Sequence, residues 1–215
     1  MSFLNSTNLK ADFSNKKIAF IGYSGHSYLC VEIALFENLE IVGYYDFEEK
    51  STNPYQLTYL GIEEEIVEDL YLFPSIGNNS IREKLFRKNK NSFKLNLIHH
   101  SAQLSPNVDL GFANLVSCGS IINPMVSIGN ATIINSGSIV EHECVIGDFS
   151  HICPGTVLCG NVSVGNNCFI GANSVLKEGI QICDNVTIGA GSVVVKSIIE
   201  PGVYVGNPAK KLVKN

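Results

Sequence analysis

The segment Ile122–Ile146 reads INPMVS IGNATI INSGSI VEHECV I, with an aliphatic residue at every sixth position. The same phase continues unbroken from Ile98 to Val194. Because 45% of the chain is apolar, an unbroken run of 17 has a chance of roughly one in a million. The aliphatic positions are Ile98, Leu104, Leu110, Val116, Ile122, Ile128, Ile134, Val140, Ile146, Ile152, Leu158, Val164, Ile170, Leu176, Ile182, Ile188 and Val194.

A period of six differs from the 3.6 of a helix and the 2 of a plain strand, and it is typical of a parallel β-helix built from hexapeptide repeats. A small residue usually stands two positions before the aliphatic one, so both side chains point to the same, inward side. Glycine often follows, as at Gly129 and Gly147, where the chain must bend tightly. Three hexads close a triangular coil of about 18 residues, which predicts between five and six coils.

The segment before the repeat predicts a different fold. A short apolar strand at Lys17–Ile21 precedes the glycine-rich turn Gly22–Ser27 and a helix at Tyr28–Phe36. A second strand, Leu39–Tyr45, ends at Asp46. This order is typical of a Rossmann-like unit, whose helix N-terminus offers free N–H groups to an anion. The strict G-x-G-x-x-G motif is absent, so a βα turn without a ligand stays an open alternative.

Two further strands are expected, Leu70–Ile76 leading into Gly77 and Phe93–Ile98 leading into the solenoid. The basic helix between them, Ile81–Asn89, is expected to present a solvated face. The predicted organisation is a flexible leader at 1–16, a Rossmann-like domain at 17–98, a β-helix domain at 99–205 and a C-terminal tail at 206–215.

Composition excludes several classes of protein. The net charge is -5, which argues against a general nucleic-acid-binding role. The sequence has no apolar run long enough for a transmembrane segment and no secretory leader. The seven cysteines form no CxxC motif, so we expect packing residues in a reducing cytoplasm and no metal site. A γ-type carbonic anhydrase would need three imidazoles around zinc, whereas the solenoid proper has only His142 and His151, with His99 and His100 at its entrance.

Register predicts which polar side chains leave the core. Val140 points inward, so His142 lies in the next bend and points outward between Glu141 and Glu143. His151 immediately precedes an inward residue and is expected to point outward too. An exposed imidazole beside carboxylates is suited to general base catalysis. From register alone, a surface histidine with ordinary charged neighbours remains an alternative.

Several motifs together resemble the NeuD/PglD family of bacterial sugar acyltransferases, over Lys17–Lys211. The resemblance implies a left-handed β-helix, a homotrimer with active sites at subunit interfaces, and acetyl transfer from acetyl-CoA to a nucleotide-linked amino sugar. The motifs are Gly22-Tyr-Ser-Gly-His26, Ser75-Ile-Gly-Asn-Asn79, Leu97-Ile-His99, Glu141-His-Glu-Cys-Val-Ile-Gly147, Ser150-His151 and Val205-Gly-Asn-Pro-Ala-Lys210.

The resemblance also implies roles for single residues. His142 matches the catalytic base, Glu143 the acid beside it, Asn135 an active-site asparagine and Gly160 a backbone donor to the oxyanion. Close relatives have an acid where this chain has Tyr45. The expected acetyl-CoA contacts are His151, Ala172 and Ala190. The expected nucleotide-sugar contacts are Ser24, Gly25, His26, Tyr45, Asp46 and Gly77.

The expected function is therefore N-acetylation of the 4-amino group of a UDP-linked 4-amino-4,6-dideoxy sugar for glycan or glycoprotein biosynthesis. The transfer is expected to be direct, with His142 as general base and without a metal. Two alternatives remain open from the sequence. One is a sialic-acid-type sugar O-acetyltransferase, and the other is a trimeric nucleotide-sugar-binding scaffold without catalysis.

Overall fold

The computed structural model describes residues 17–62, 70–88 and 93–213. The expected leader, and most of the acidic segment after Gly61, lie outside these ranges. The N-terminal elements form a parallel sheet of order β2-β1-β3 with two helices, which confirms the Rossmann-like unit. Its elements are β1 (Lys17–Ile21), α1 (Gly25–Phe36), β2 (Glu40–Tyr45), β3 (Tyr71–Pro74) and α2 (Asn79–Lys88).

The central strand β1 is apolar on both faces because both faces are covered. Ile18 and Phe20 pack with apolar residues of α1, whereas Ala19 and Ile21 pack in the cluster that contains Phe86 of α2. Side chains of the solenoid complete both clusters. The apolar clusters of the N-terminal domain therefore extend onto outward side chains of the solenoid, whereas the interior of the solenoid forms a separate cluster.

The solenoid consists of 17 short parallel strands, and each aliphatic position of the hexad repeat is the last residue of one strand. The structure therefore confirms the register. The strands are β4 (Leu97–Ile98), β5 (Gln103–Leu104), β6 (Asp109–Leu110), β7 (Leu115–Val116), β8 (Ile121–Ile122), β9 (Ser127–Ile128), β10 (Ile133–Ile134), β11 (Ile139–Val140), β12 (Val145–Ile146), β13 (His151–Ile152), β14 (Val157–Leu158), β15 (Ser163–Val164), β16 (Phe169–Ile170), β17 (Val175–Leu176), β18 (Gln181–Ile182), β19 (Val186–Ile188) and β20 (Val193–Val194).

Every third strand pairs with its neighbours one coil away, which produces three sheets. The inward residues stack in columns, as Ile134 does between Val116 and Ile152. Each buried aliphatic side chain contributes about 1.5–3 kcal/mol. Ile98 and Leu104 are only partly buried, because the first coil has a neighbour on one side only. The left hand of the coil stays a prediction of the resemblance.

We name the outward sides of the three sheets by what they carry. The docking face belongs to the sheet of β4, β7, β10, β13, β16 and β19, and the N-terminal domain packs against it. The aliphatic face belongs to the sheet of β5, β8, β11, β14, β17 and β20. The polar face belongs to the sheet of β6, β9, β12, β15 and β18.

The structure corrects two expectations. Leu97–Ile98 does not extend the N-terminal sheet, because β4 pairs with β7 of the solenoid. The basic helix is not solvated throughout, because Arg82 is 1% exposed at the interface with the solenoid. At the other end of the chain, β21 (Gly202–Val205) pairs with β19 and with the antiparallel β22 (Lys210–Lys211).

In the described parts of the chain, no helix has the length and apolar character needed to cross a bilayer.

Candidate active site

The glycine-rich turn follows β1 at the point where the chain order of the sheet switches between β2 and β3, which is where open α/β sheets bind ligands. Gly22 has a φ of +90°, and a Cβ there would lie 2.5 Å from Cγ1 of Ile76, so only glycine fits. Ser75 Oγ donates a 2.6 Å hydrogen bond to the Gly22 carbonyl. The fixed turn leaves Ser24 and Gly25 exposed at the start of α1, where backbone N–H groups favour an anion.

The two residues at the end of β2 have structural roles. Asp46 Oδ2 accepts the Tyr23 N–H at 2.9 Å, and its Oδ1 accepts the Phe47 N–H at 2.8 Å and lies 3.1 Å from Lys50 Nζ. Tyr45 is 1% exposed in the core shared with the solenoid. The expected ligand contact of Tyr45 stays a prediction, and burial leaves its side chain almost no surface for such a contact. The Asp46 carboxylate holds the turn and its own loop.

Two histidines meet where the N-terminal domain touches the solenoid. The ring centroids of His26 in α1 and His151 in β13 are 6.0 Å apart, and Gly77 packs against the His26 ring. His151 Nε2 lies 3.0 Å from Asn135 Nδ2, while Asn135 Oδ1 accepts the Ser136 N–H at 2.8 Å. The amide nitrogen of Asn135 therefore faces the imidazole, so Nε2 of His151 accepts a hydrogen bond and Nδ1 carries the proton.

Both imidazoles are held neutral. Burial, and then the positive charge of Arg82, lower the pKa of His26 to about 4. Burial, Arg82 and His26, in that order, lower the pKa of His151 to about 3. His151 points out of the solenoid core as expected, but it is only 7% exposed because the N-terminal domain covers it. Its buried Nδ1 faces the Gly77 backbone without a hydrogen bond of normal geometry.

The expected acetyl-CoA contacts extend along one edge of the solenoid. Ala172 and Ala190 occupy the position of Ser136 two and three coils further on, because each coil advances by 18 residues. Ala172 is half-buried and Ala190 is exposed. The structure thus aligns these residues above the Asn135 corner, the bend between β10 and β11.

The other expected catalytic residues lie in the His142 corner, the bend between β11 and β12. His142 Nδ1 lies 3.1 Å from Glu143 Oε2, and both side chains are exposed, at 59% and 64%. Donation from Nδ1–H to the carboxylate leaves the lone pair on Nε2, which can then accept a proton. Glu143 has a φ of +64°, which it shares with the equivalent residues of neighbouring coils, Met125 (+65°) and Asn161 (+56°), so this conformation belongs to the bend of the solenoid.

Gly160 completes this corner from the next coil. A Cβ on Gly160 would lie 2.6 Å from Cε1 and 2.7 Å from Nε2 of His142, so the imidazole rests directly on the glycine backbone. Among the described residues, nothing accepts a hydrogen bond from the Gly160 N–H. An imidazole and an unused backbone donor therefore converge, which is an arrangement that suits general base catalysis and oxyanion stabilisation.

We expect Gly160→Ala to lower kcat/KM by about 10²-fold, because a misplacement of about 1 Å has that effect on a catalytic group. Gly160 does not have a positive φ, so alanine fits the backbone and only the His142 ring must move. Steady-state kinetics and melting temperature check this. The matched control is Glu178→Ala, at the equivalent position one coil further on, where the side chain is exposed. If both variants keep wild-type turnover, the close approach to His142 is unimportant.

The structure brings the expected site residues together in two groups, not one. Ser24, Gly25, His26, Gly77, Asn135 and His151 lie around the docking face and the Asn135 corner. His142, Glu143 and Gly160 lie at the His142 corner. Within the described ranges, no hydrogen bond or ring contact joins the two groups.

The aliphatic face lies between the two corners, and sequence reasoning missed it. The outward residues of five successive strands are aliphatic and at least partly exposed. The sequence does contain a signal for this face: the residue immediately before the inward one is aliphatic at every third hexad, that is, every 18 residues. These residues are Ile121, Ile139, Val157, Val175 and Val193.

Four of the seven cysteines, Cys30, Cys144, Cys153 and Cys168, are buried and pack in the interior. All seven are unpaired. Burial raises the pKa of Cys144 and of Cys168 to about 11, and that of Cys153 to about 12. These thiols stay protonated at neutral pH, so they are poor nucleophiles. In residues 17–62, 70–88 and 93–213, no cluster of three or more His, Cys, Asp or Glu side chains could hold a metal ion.

Comparisons with known proteins agree with this geometry. The family described as the PglD N-terminal domain matches residues 17–89, and the family described as the hexapeptide repeat of succinyl-transferase matches residues 161–196. No curated protein matches the chain at the level of sequence.

Solved structures match over almost the whole chain. A mutant of GDP-perosamine N-acetyltransferase from Caulobacter crescentus, in complex with CoA and GDP-perosamine, has 30% identity and a TM-score of 0.87, covering 95% of this chain and 100% of its own. PerB from the same organism, with the same ligands, has 31% identity, a TM-score of 0.85 and coverages of 94% and 100%. The acetyltransferase domain of PglB from Neisseria gonorrhoeae FA1090 has 27% identity, a TM-score of 0.85 and coverages of 92% and 100%.

A Rossmann-like unit joined to a hexapeptide-repeat solenoid, with an imidazole and a backbone donor at one corner, defines a sugar acetyltransferase. The chain belongs to the NeuD/PglD-like family of sugar acetyltransferases. The resemblance seen in the sequence is thereby confirmed.

Proposed function

We propose that this enzyme transfers an acetyl group from acetyl-CoA to the 4-amino group of a UDP-linked 4-amino-4,6-dideoxy sugar, with His142 as general base. The observation that carries the proposal is the His142 corner, where the Glu143 carboxylate holds the ring and Gly160 offers a free N–H. The similarity to an N-acetyltransferase that binds CoA and GDP-perosamine supports the substrate class.

The chain's own residues account for direct transfer. Nε2 of His142 accepts the proton of the sugar amine as the nitrogen attacks the thioester carbonyl, and the Gly160 N–H donates to the oxyanion that develops. The imidazolium then returns the proton to the leaving thiolate. Glu143 holds the ring in the required tautomer throughout. No cysteine is needed, because direct transfer forms no acyl-enzyme.

We assign the sugar nucleotide to the N-terminal domain at 17–98 and the acyl donor to the solenoid at 99–205. Ser24, Gly25, His26 and Gly77 surround the turn that suits a diphosphate, with Asp46 fixing that turn. His151, Ala172 and Ala190 follow the edge that suits the extended CoA chain. The unpaired cysteines favour a reducing compartment such as the cytoplasm.

We further propose a homotrimer in which each active site lies between two subunits. The aliphatic face presents a column of five aliphatic side chains that are at least partly exposed, and a contiguous apolar patch on a protein surface often marks an interface with another protein. In a closed ring of three copies with this face turned to the axis, the His142 corner of one copy lies beside the Asn135 corner of the next. The two groups of site residues then meet across the interface.

Val157→Glu is expected to convert the trimer to monomers and to lose nearly all activity, because it places charges at the centre of the aliphatic face. Val157 points outward and is half-buried, so the monomer fold survives. Sedimentation and turnover at equal protein concentration measure both effects. Ser163→Glu, on the polar face, is the matched control and stays trimeric. A trimeric, active Val157→Glu would show that another surface forms the assembly.

A substrate screen tests the reaction. The enzyme is mixed with acetyl-CoA and a UDP-, dTDP- or GDP-linked 4-amino sugar, and the free thiol is measured. Thiol release with the UDP-linked sugar is expected. The similarity to GDP-perosamine N-acetyltransferase makes a GDP-linked sugar the second candidate. Release only with a hydroxyl acceptor such as sialic acid would replace N- with O-acetylation, and no release with any acceptor would favour the scaffold.

A further inference from the structure

Arg82 is the largest fully buried side chain of the described residues. All three nitrogen atoms of its guanidinium donate hydrogen bonds. It lies between α2 and the docking face without a carboxylate among its partners. Its hydrogen bonds go to the carbonyl oxygens of Ile76 (3.0 Å), Gly77 (3.1 Å), Ala131 (2.6 Å), Phe149 (2.8 Å) and Ser150 (3.3 Å), and to Oδ1 of Asn79 (2.9 Å).

Most of the carbonyl groups that Arg82 binds belong to two segments, and each segment leads to an expected site residue. Ile76 and Gly77 form the turn that packs against His26, whereas Phe149 and Ser150 lead directly into His151. A single side chain thus fixes the distance between the sugar-nucleotide turn and the strand that carries His151.

Asn79 also contacts the surroundings of His151, through the next coil of the solenoid. Its Nδ2 donates a 3.0 Å hydrogen bond to the Cys168 carbonyl, which also accepts the His151 N–H at 2.8 Å. Because Asn79 Oδ1 is bound by Arg82, the two side chains act as one unit. The backbone on either side of His151 is therefore tied to the start of α2.

Domain docking alone does not require a buried guanidinium. Burial lowers the pKa of Arg82 to about 9, so the group stays charged at neutral pH and its desolvation costs stability. Apolar residues of similar volume would dock two surfaces at least as well. What arginine adds is a rigid planar fork of five donors, which fixes several carbonyl groups in one geometry.

We propose that Arg82 is a positioning residue for acetyl transfer: it locks the Gly77 turn to the His151 strand, so that the bound sugar nucleotide meets the acyl-transfer site in one fixed geometry. The proposal rests on the function proposed above for these two sites. Lysine cannot replace arginine in this role, because a single ammonium with three donors cannot reach carbonyls on both sides of the interface.

Arg82→Lys tests the proposal, with Phe86→Leu as the matched control. Phe86 lies on the same helix and packs against Phe149 with ring centroids 5.6 Å apart, so its truncation weakens docking but leaves the hydrogen bonds intact. Below the melting temperature of both variants, we expect Arg82→Lys to lower kcat/KM for the nucleotide sugar by about 10²-fold. Phe86→Leu is expected to change it little at a similar loss of stability.

Hydrogen exchange provides a readout that does not depend on the reaction. In Arg82→Lys, exchange is expected to rise together in peptides that cover Ser75–Gly77 and Phe149–His151, whereas in Phe86→Leu these peptides stay protected. If Arg82→Lys does not fold, Asn79→Ala removes the bond to the Cys168 carbonyl and one of the Arg82 bonds, but it leaves the carbonyl partners of Arg82 in place. This variant is expected to show the same pattern at smaller amplitude.

Equal kinetics and equal exchange in Arg82→Lys and Phe86→Leu would overturn the proposal and reduce Arg82 to a structural role. Failure of the proposed function gives a different result. A wild-type enzyme that acetylates no sugar nucleotide would leave the exchange measurement intact, and coupled exchange would still support the lock between the two segments.

Discussion

His142→Ala is expected to lower turnover by about 10²–10⁴-fold, which is the usual contribution of a general base. The side chain is 59% exposed and touches little except Glu143 and Gly160, so its removal should leave melting temperature and assembly unchanged. Steady-state kinetics at saturating substrate and neutral pH measure the effect. The loss is expected in kcat more than in the KM values, because the base acts on a proton in the transition state.

Glu143→Gln tests how much the orientation of the His142 ring contributes, because the ring itself stays in place. The glutamine amide oxygen can still accept the Nδ1–H of His142, so a smaller loss than in His142→Ala is expected. A His142→Ala enzyme with turnover close to wild type would exclude this imidazole as the base. It would move the chemistry to the other group, where His26 and His151 are the remaining imidazoles.

Ile146→Asp has the largest expected effect on stability. Ile146 is 1% exposed and stacks between Ile128 and Val164 inside the solenoid. A carboxylate there has no partner, and an unpaired buried charge costs several kcal/mol, a large share of the 5–15 kcal/mol that typically holds a domain folded. Loss of soluble protein, or a collapse of the melting temperature, is the expected result.

Val145→Asp provides the control at the neighbouring position of the same strand. Val145 is 49% exposed because successive residues of a strand point to opposite sides. The variant should therefore purify normally and melt near the wild-type temperature. If Ile146→Asp also melts normally, the inward register of the hexads is wrong.

The contrast between these two residues shows how much the sequence alone could predict. The six-residue period assigned the inward position in each of the 17 strands, because the alternation of side chains and the bend are local and repeat with every hexad. The Rossmann-like unit was also predicted, since its strand, turn and helix signals are contiguous in the chain.

The sequence was misleading where a residue's surroundings come from distant parts of the chain. Arg82 follows a pattern of basic residues that normally marks a solvated helix face, yet carbonyls 49 to 68 residues away complete its hydrogen bonds. Leu97–Ile98 has the composition of a sheet strand in either domain, and only its pairing with β7 decided between them. His151 was assigned correctly to the outer surface of the solenoid, but the N-terminal domain covers that surface and buries the side chain.

The sequence by itself determined the solenoid register, the order of the two domains and the candidate residues for the chemistry, because each depends on local spacing or on a short motif. Only the tertiary structure decided that the site residues form two groups on either side of an aliphatic face, and that Arg82 ties the Gly77 turn to the His151 strand. Both depend on contacts between residues that are far apart in the sequence, and a local repeat pattern carries no information about such contacts.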